Sequence, residues 1–198
     1  ERTNFTVLDT HFPTGFTLTE DPSDPATYNA SQVYFFNVTV IENIEIRNVI
    51  IEYNGTNYSS EVRNFTSNRF EFNRTSLAAG TYQYTWFIND TSGNMNSSSS
   101  NYTISRASSL VNLTLVGNDT NVNISAGSTI NLSGVRITGE GEIELLENGT
   151  LLTLGNSSAT VLRDFNTIGV FNITIRYNQT QNYTTSSESH NVTARDTT

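Results

Sequence analysis

The chain contains no cysteine and no lysine, and only one tryptophan, one methionine, three prolines and two histidines among 198 residues. Without cysteine there are no disulfides, which a heavily modified animal secreted protein would usually carry. Without lysine there is no Schiff-base chemistry and no Lys–Asn isopeptide staple. Nor is there a lysine through which a transpeptidase could join subunits. All ten basic residues are arginine, against 19 acidic ones, and the net charge of −9 argues against nucleic acid as a partner. His11 and His190 lie in different halves, each expected at a loop or strand edge. With so few imidazoles and no thiolate, no catalytic triad and no zinc or other transition-metal site is expected. No apolar run approaches the length of a membrane span, so the stretch reads as soluble. No signal-peptide pattern opens it, so Glu1 is taken as a mature terminus or a cut within a longer chain.

Asparagine is what the chain has in excess. Twenty of its 26 asparagines begin an Asn-x-Ser/Thr triplet: Asn4, Asn29, Asn37, Asn54, Asn57, Asn64, Asn73, Asn89, Asn96, Asn101, Asn112, Asn118, Asn123, Asn131, Asn148, Asn156, Asn172, Asn178, Asn182 and Asn191. Ser and Thr make up 52 of the 198 residues, so chance would place only about 7 asparagines in such triplets. The triplet is the acceptor for N-linked glycans, and no proline occupies a middle position. The bacterial reaction usually wants an acid two residues before the asparagine, which these sites generally lack. An archaeal surface protein is the expected setting. Asn54 and Asn57 are close enough to compete for one glycan.

Many triplets have an apolar middle residue: Phe5, Val38, Phe65, Tyr102, Leu113, Leu132, Ile173 and Val192. Side chains alternate between the faces of a strand, so Asn and Thr share the solvent face while the middle residue enters the core. In Asn172-Ile173-Thr174-Ile175-Arg176-Tyr177, the first, third and fifth residues should point outward. Asn is depleted in strands, so its repeated appearance there requires a reason beyond propensity.

The chain also repeats itself. Gly80 to Thr91 aligns with Gly169 to Thr180, each a turn glycine, an alternating strand and a closing triplet. Asn4-Phe5-Thr6-Val7 matches Asn112-Leu113-Thr114-Leu115 at the starts of the halves. The expected domains are 1–106 and 107–198. First-half strands are placed at 3–9, 32–41, 46–53, 58–65, 68–74, 81–89 and 100–105. Second-half strands are placed at 110–116, 128–134, 141–147, 150–154, 158–163, 168–177 and 189–195. All-strand signals at this spacing predict an all-β fold of two tandem β-sandwiches, strung end to end as a rod. Two alternating segments precede Tyr28, 3–9 and 16–20; the repeat alignment gives 3–9 an ordinary first-strand role, and the pair leaves a candidate spare strand for donation to a neighbouring subunit.

Leu77 to Trp86, followed by Asp90-Thr91-Ser92-Gly93-Asn94, resembles the ending of immunoglobulin-like repeats in prokaryotic surface proteins. Gly169 to Tyr177 with Asn182 to Ser187 is similar to another branch of bacterial-type Ig-like domains. The resemblance implies tandem arrays in adhesins, S-layers and filaments, and no enzymatic activity. The chain departs from antibody-type domains in lacking both core cysteines.

Three features admit a chemical reading. Glu140, Glu142 and Glu144 should share one strand face, as a solvated face or a carboxylate pair of a hydrolase. Glu20-Asp21-Pro22-Ser23-Asp24-Pro25 and Asp90-Thr91-Ser92-Gly93-Asn94 read as polar loops or, alternatively, calcium loops. The aromatics Tyr34, Phe35, Phe36, Phe70, Phe72, Tyr82, Tyr84, Trp86 and Phe87 should mostly fill the core. Phe35 and Phe87 are candidates for a subunit contact. The expected function is a densely N-glycosylated structural module of an extracellular filament, S-layer or stalk, self-associating and with no cofactor. The alternatives are an adhesin or carbohydrate- or protein-binding module, and an accessory domain of a surface hydrolase. Asn43 to Asn48 and Val135 to Gly139 lack triplets, so contacts belong there first.

Overall fold

A computed structural model describes residues 8–196. Asn4 and most of the segment expected as a strand at 3–9 lie outside the described residues; Leu8 and Asp9 are not in a strand. The chain divides into two compact units, Glu1–Ser105 and Arg106–Thr198. Among the described residues all regular structure is β.

Unit 1 contains β1 (Thr14–Asp21), β2 (Ala26–Thr27), β3 (Val33–Ile41), β4 (Ile46–Tyr53), β5 (Thr56–Tyr58), β6 (Arg63–Thr66), β7 (Arg69–Thr75), β8 (Gly80–Asp90) and β9 (Met95–Ser105). One sheet runs β1-β3-β7-β6 and the other β2-β9-β8-β4-β5. The period of two decides what is buried. Tyr34, Phe36, Val38 and Val40 point inward from β3, Val49, Ile51 and Tyr53 from β4, and Tyr84, Trp86 and Ile88 from β8. Phe36 is the hub of this core, with ring centroids of Tyr53, Tyr84 and Tyr102 at 5.2, 5.1 and 5.4 Å.

Unit 2 contains β10 (Leu110–Leu115), β11 (Val122–Ser125), β12 (Ser128–Thr138), β13 (Ile143–Glu147), β14 (Thr150–Gly155), β15 (Ser158–Phe165), β16 (Gly169–Tyr177) and β17 (Ser186–Arg195). Its sheets run β10-β12-β15 and β11-β17-β16-β13-β14. Both units therefore share one plan. The first strand opens one sheet, and a short second strand crosses to pair parallel with the last strand of the other. Strand order and this crossing make both units immunoglobulin-like sandwiches.

The crossing has a cause in each sequence. In unit 1, Pro22 and Pro25 have no N–H to continue the ladder with β3, so β1 must end. The freed segment is pinned to the other sheet. The Tyr102 hydroxyl donates to the Pro22 carbonyl (2.7 Å), the Thr103 N–H donates to the Asp24 carboxylate (2.6 Å), and the Tyr84 hydroxyl donates to Glu20. In unit 2 the turn is made by Val116 and Gly117, both with positive φ. A second shared device is the Asn-Gly hairpin. Asn54-Gly55 joins β4 to β5 and Asn148-Gly149 joins β13 to β14, with φ values of 51, 80, 48 and 81°. Two successive positive φ angles are what a two-residue hairpin of this hand requires, and Asn-Gly tolerates them best. Both asparagines open triplets, so two triplets start at hairpin tips.

Several strand expectations change. Residues 16–20 form the body of β1 and pair with β3, while most of 3–9, the other candidate for a spare strand, lies outside the described residues. By its pairing β1 is the structural counterpart of β10 among the described residues. The expected strand at 58–65 breaks into β5 and β6 around an exposed loop, and β9 begins five residues before the expected 100, at Met95. Among the described residues unit 1 has nine strands and unit 2 eight, where seven each were expected.

Candidate functional site

The feature most densely written in the sequence is the set of triplets, and the fold decides where they point. On β16, Ile173, Ile175 and Tyr177 are buried, while Asn172 and Arg176 are exposed and Thr174 half-buried. The Thr174 hydroxyl donates to Asn172 Oδ1 at 2.9 Å, so acceptor and hydroxyl of one triplet share the outer face. Asn191 on β17 is the direct cross-strand partner of Asn172, and the two carboxamides meet at 3.3 Å. Two triplet asparagines thus stand side by side on one face. Val38, Tyr102, Leu113, Leu132 and Val192 are buried like Ile173, as expected of middle residues. Phe65 is the exception at 48% exposed; it lies on the edge strand β6 between the guanidiniums of Arg63 and Arg69, each 5.4 Å from its ring.

Every one of the four sheets carries triplet asparagines. Asn64 and Asn73 lie on β6 and β7, Asn89, Asn96 and Asn101 on β8 and β9, Asn112 and Asn131 on β10 and β12, and Asn123, Asn172 and Asn191 on β11, β16 and β17. Of these, Asn73, Asn89, Asn112 and Asn191 are half-buried and the others exposed; Asn29, Asn57, Asn118, Asn156 and Asn178 are exposed, as are the hairpin tips Asn54 and Asn148. Asn182 is half-buried. Asn37 departs from the expectation that every triplet presents its asparagine to solvent. It points outward from the central strand β3 but is only 7% exposed, beside the equally shielded Glu71 across the ladder.

The acidic features resolve differently from their sequence reading. Glu140, Glu142 and Glu144 do not share a strand face. Positive φ at Gly139 and Gly141 keeps that stretch a turn, and β13 begins only at Ile143. Glu144 pairs with Arg176 (Nε at 2.8 Å) and accepts from Asn178 (2.8 Å); Glu140 accepts from Asn182 (3.2 Å). These glutamates hold triplet asparagines in place and form no converging pair. The carboxylates of Glu20 and Asp24 are the clasp described above. Asp90 closes the β8–β9 turn, fully buried, accepting the Asn94 N–H and side-chain amide, both at 2.8 Å. Burial opposes its charge, but the bonds from Asn94, Ser92 and Gly93 prevail and hold the carboxyl below the ordinary Asp range.

His190 has closer company than its sequence neighbours suggest. Its Nε2 lies 2.9 Å from Asp119 Oδ1 and 3.6 Å from Glu188 Oε1. Asp119 sits in the β10–β11 crossing loop, so this contact ties the crossing to β17. The His190 hydrogen bond is the main cause that lowers the Asp119 carboxyl from its usual value. Burial pushes the Tyr84 phenol up, followed by its bond to Glu20, and burial also raises Tyr53 and Tyr102.

No aromatic binding platform forms from the expected set. Tyr34, Phe36, Phe70, Phe72, Tyr84 and Trp86 are buried, and Phe35, Tyr82 and Phe87 are half-buried. Among the described residues the exposed aromatics are Phe12 and Phe65, on different elements. Of the two triplet-free stretches, Val135 to Gly139 leaves Val135 and Ile137 exposed at the end of β12. Also exposed is Leu162, at 71%, on β15, whose one ladder partner among the described residues is β12.

No protein-family model and no curated protein matches the chain. Solved structures that it is similar to include the fibronectin(III)-like modules of Clostridium thermocellum CbhA (12% identity, 92% of this chain and 95% of that one, TM-score 0.38). The N-terminal Ig1-2 module of the Drosophila receptor protein tyrosine phosphatase DLAR matches at 12% identity, over 93% and 100% of the chains, with TM-score 0.38. Rst D1-D2 matches at 10% identity, over 91% and 99%, with TM-score 0.40. At such distances the strand order, not the match, carries the assignment of both units as Ig-like.

Proposed function

We propose that the chain is a non-catalytic structural module of an extracellular, densely N-glycosylated filament, S-layer or surface stalk, most simply an archaeal one. The observation that carries this reading is the placement of triplet asparagines on the outer faces of all four sheets. A coat of that coverage hydrates and shields a load-bearing sandwich, but leaves little bare surface for a ligand. The adhesin reading requires such a surface, and the exposed aromatics do not form one. Contacts with like subunits are proposed where apolar side chains remain uncovered, at Val135 and Ile137 and along the free side of β15, where a neighbour's strand would continue the ladder.

Glycopeptide mapping of the protein from its native surface tests the reading. Exposed acceptors such as Asn101, Asn131 and Asn172 are expected to carry glycan, and Asn37 to be bare or the least occupied. An unmodified chain would return the triplets to plain strand polarity and remove the main support for the proposal.

A further inference from the structure

Three apolar side chains stand on the outer faces of the sheets, where the sandwich cores do not use them. Leu162 on β15 is 71% exposed, the highest value for a large apolar side chain on any strand among the described residues. Met95 on β9 is 59% exposed, and Phe35 on β3 is half-buried. A single exposed apolar residue is ordinary. What sets these apart is the residue each one faces. Directly across the ladder, Leu162 meets Asn131, Met95 meets Asn89 and Phe35 meets Asn73, all of them triplet asparagines.

The register makes these close pairs. Opposed residues of antiparallel strands alternate between pairs that exchange backbone hydrogen bonds, with Cα atoms about 5.5 Å apart, and unbonded pairs at about 4.5 Å, whose side chains lie nearer each other. The Arg136 N–H donates to the Ser157 carbonyl (2.9 Å), the Val40 N–H to the Asn68 carbonyl (3.0 Å) and the Asp90 N–H to the Asn94 carbonyl (3.1 Å). Alternation from these three bonds places Asn131–Leu162, Asn73–Phe35 and Asn89–Met95 all in the unbonded, close class. Val135 gives the contrast. It also faces a triplet asparagine, Asn112, but the bond from the Val116 N–H to the Asn131 carbonyl (2.9 Å) puts that pair in the wide class. The Asn112 amide is moreover turned to Asp119 (3.0 Å).

We propose that Leu162, Phe35 and Met95 are seats for N-linked glycans, the first pyranose on Asn131 laying its apolar C–H face on Leu162, and those on Asn73 and Asn89 lying on Phe35 and Met95. The proposal rests on the glycan reading of the triplets. A pyranose carries hydroxyls around its rim and a patch of C–H groups on one face, so it covers an apolar side chain while its rim stays hydrated. A neighbour whose Cβ lies about 5 Å away is within reach of a sugar joined to the asparagine amide. The covalent tether gives the contact a high effective concentration, so a weak attraction suffices to hold it. Covering the apolar side chain also removes it from water, which makes each seated glycan a stabiliser of the sandwich beneath it. This use of Leu162 leaves the backbone edge of β15, together with Val135 and Ile137, for subunit contacts, and it takes Phe35 out of that role.

Asn101 provides the control, because it lies in a close pair of the same ladder as Asn89 but faces the polar Gln83. The full chain is secreted from a glycosylating host, and occupancy is read by glycopeptide mass spectrometry. Calorimetry then compares the parent with Asn131→Gln, Leu162→Thr and the double variant. Asn131→Gln is expected to lower the Tm of unit 2 by about 3 °C with Leu162 present, and by less than about 1 °C with threonine in its place. In unit 1, followed by Trp86 fluorescence, Asn73→Gln and Phe35→Thr should couple in the same way, whereas Asn101→Gln and Gln83→Thr should act independently. Nuclear Overhauser effects between the Leu162 methyls and the ring protons of the Asn131 sugar should report the contact directly. An occupied Asn131 with neither coupling nor Overhauser contact, or a coupling as large between Asn101 and Gln83, would overturn the proposal and leave the glycan reading standing. A bare Asn131 would overturn both at that position.

Discussion

Phe35 and Phe36 are neighbours on β3 with the same side chain and opposite fates, which makes them a sharp test of the register. Phe36 is fully buried and touches four other rings, those of Tyr53, Phe72, Tyr84 and Tyr102. Phe35 lies on the outer face, half-buried, opposite Asn73 and Asp21. Replacing a fully enclosed phenylalanine by alanine costs about 3–5 kcal/mol, the transfer of the ring plus the cavity it leaves. Phe36 sits at the upper part of that range because its neighbours are rigid rings that cannot collapse into the space. For Phe35, about half of the ring's burial is at stake, or about 1 kcal/mol. The assay is urea unfolding read by Trp86, which sits in the same core and reports unit 1 alone. With a slope of about 2 kcal/mol/M, Phe36→Ala should lower the midpoint by about 2 M and Phe35→Ala by about 0.5 M. Equal losses, or a larger loss at Phe35, would show that the strand faces the other way and refute the inward–outward assignment on which the facing of the triplets also rests.

Other consequences follow from the same packing. In unit 2 a methyl on Gly134 would run into Ile175, so Gly134→Ala should destabilise by about 1–3 kcal/mol, and adding Ile175→Ala should recover part of the loss that Ile175→Ala shows alone, as measured by calorimetry. The depressed Asp119 carboxyl adds stability that is complete above its ordinary value of 3.8 and is lost as the pH falls through its lower folded-state value. Unit 2 should therefore weaken from about pH 4 downward, and Asp119→Asn should flatten that decline in near-ultraviolet circular dichroism titrations. The raised phenols of Tyr53, Tyr84 and Tyr102 act in the other direction: their stabilising share is complete below pH 10 and is lost as the pH rises. Absorbance near the tyrosinate band should show these three silent at pH about 11 until the chain unfolds.

Strands whose apolar residues alternate cleanly were legible from the residues alone. Val33–Ile41, Ile46–Tyr53, Gly80–Asp90 and Gly169–Tyr177 all lie within a residue or so of their expected bounds, because burial on one face imposes the pattern directly. The misses have physical causes. Met95 to Ser100 carries no apolar alternation and reads as a loop, yet it completes a long hairpin because β8 supplies a ready ladder. The crossing strands β2 and β11 are too short to show any period, and pairing with the last strand defines them. Phe65 looked like a core residue from its triplet, but β6 is an edge strand, and there two arginines cover the ring. Of the candidate site, the direction of most acceptors followed from alternation, whereas the shielding of Asn37 depends on neighbouring strands.

The most direct test of the structural account is electron cryomicroscopy of assemblies taken from the native cell surface. The account predicts a regular polymer with this chain as its repeat, density branching from exposed acceptors such as Asn101, Asn131 and Asn172, and subunit contacts confined to faces without acceptors. Isolated copies with bare outer faces, or contacts that run through those acceptors, would contradict it.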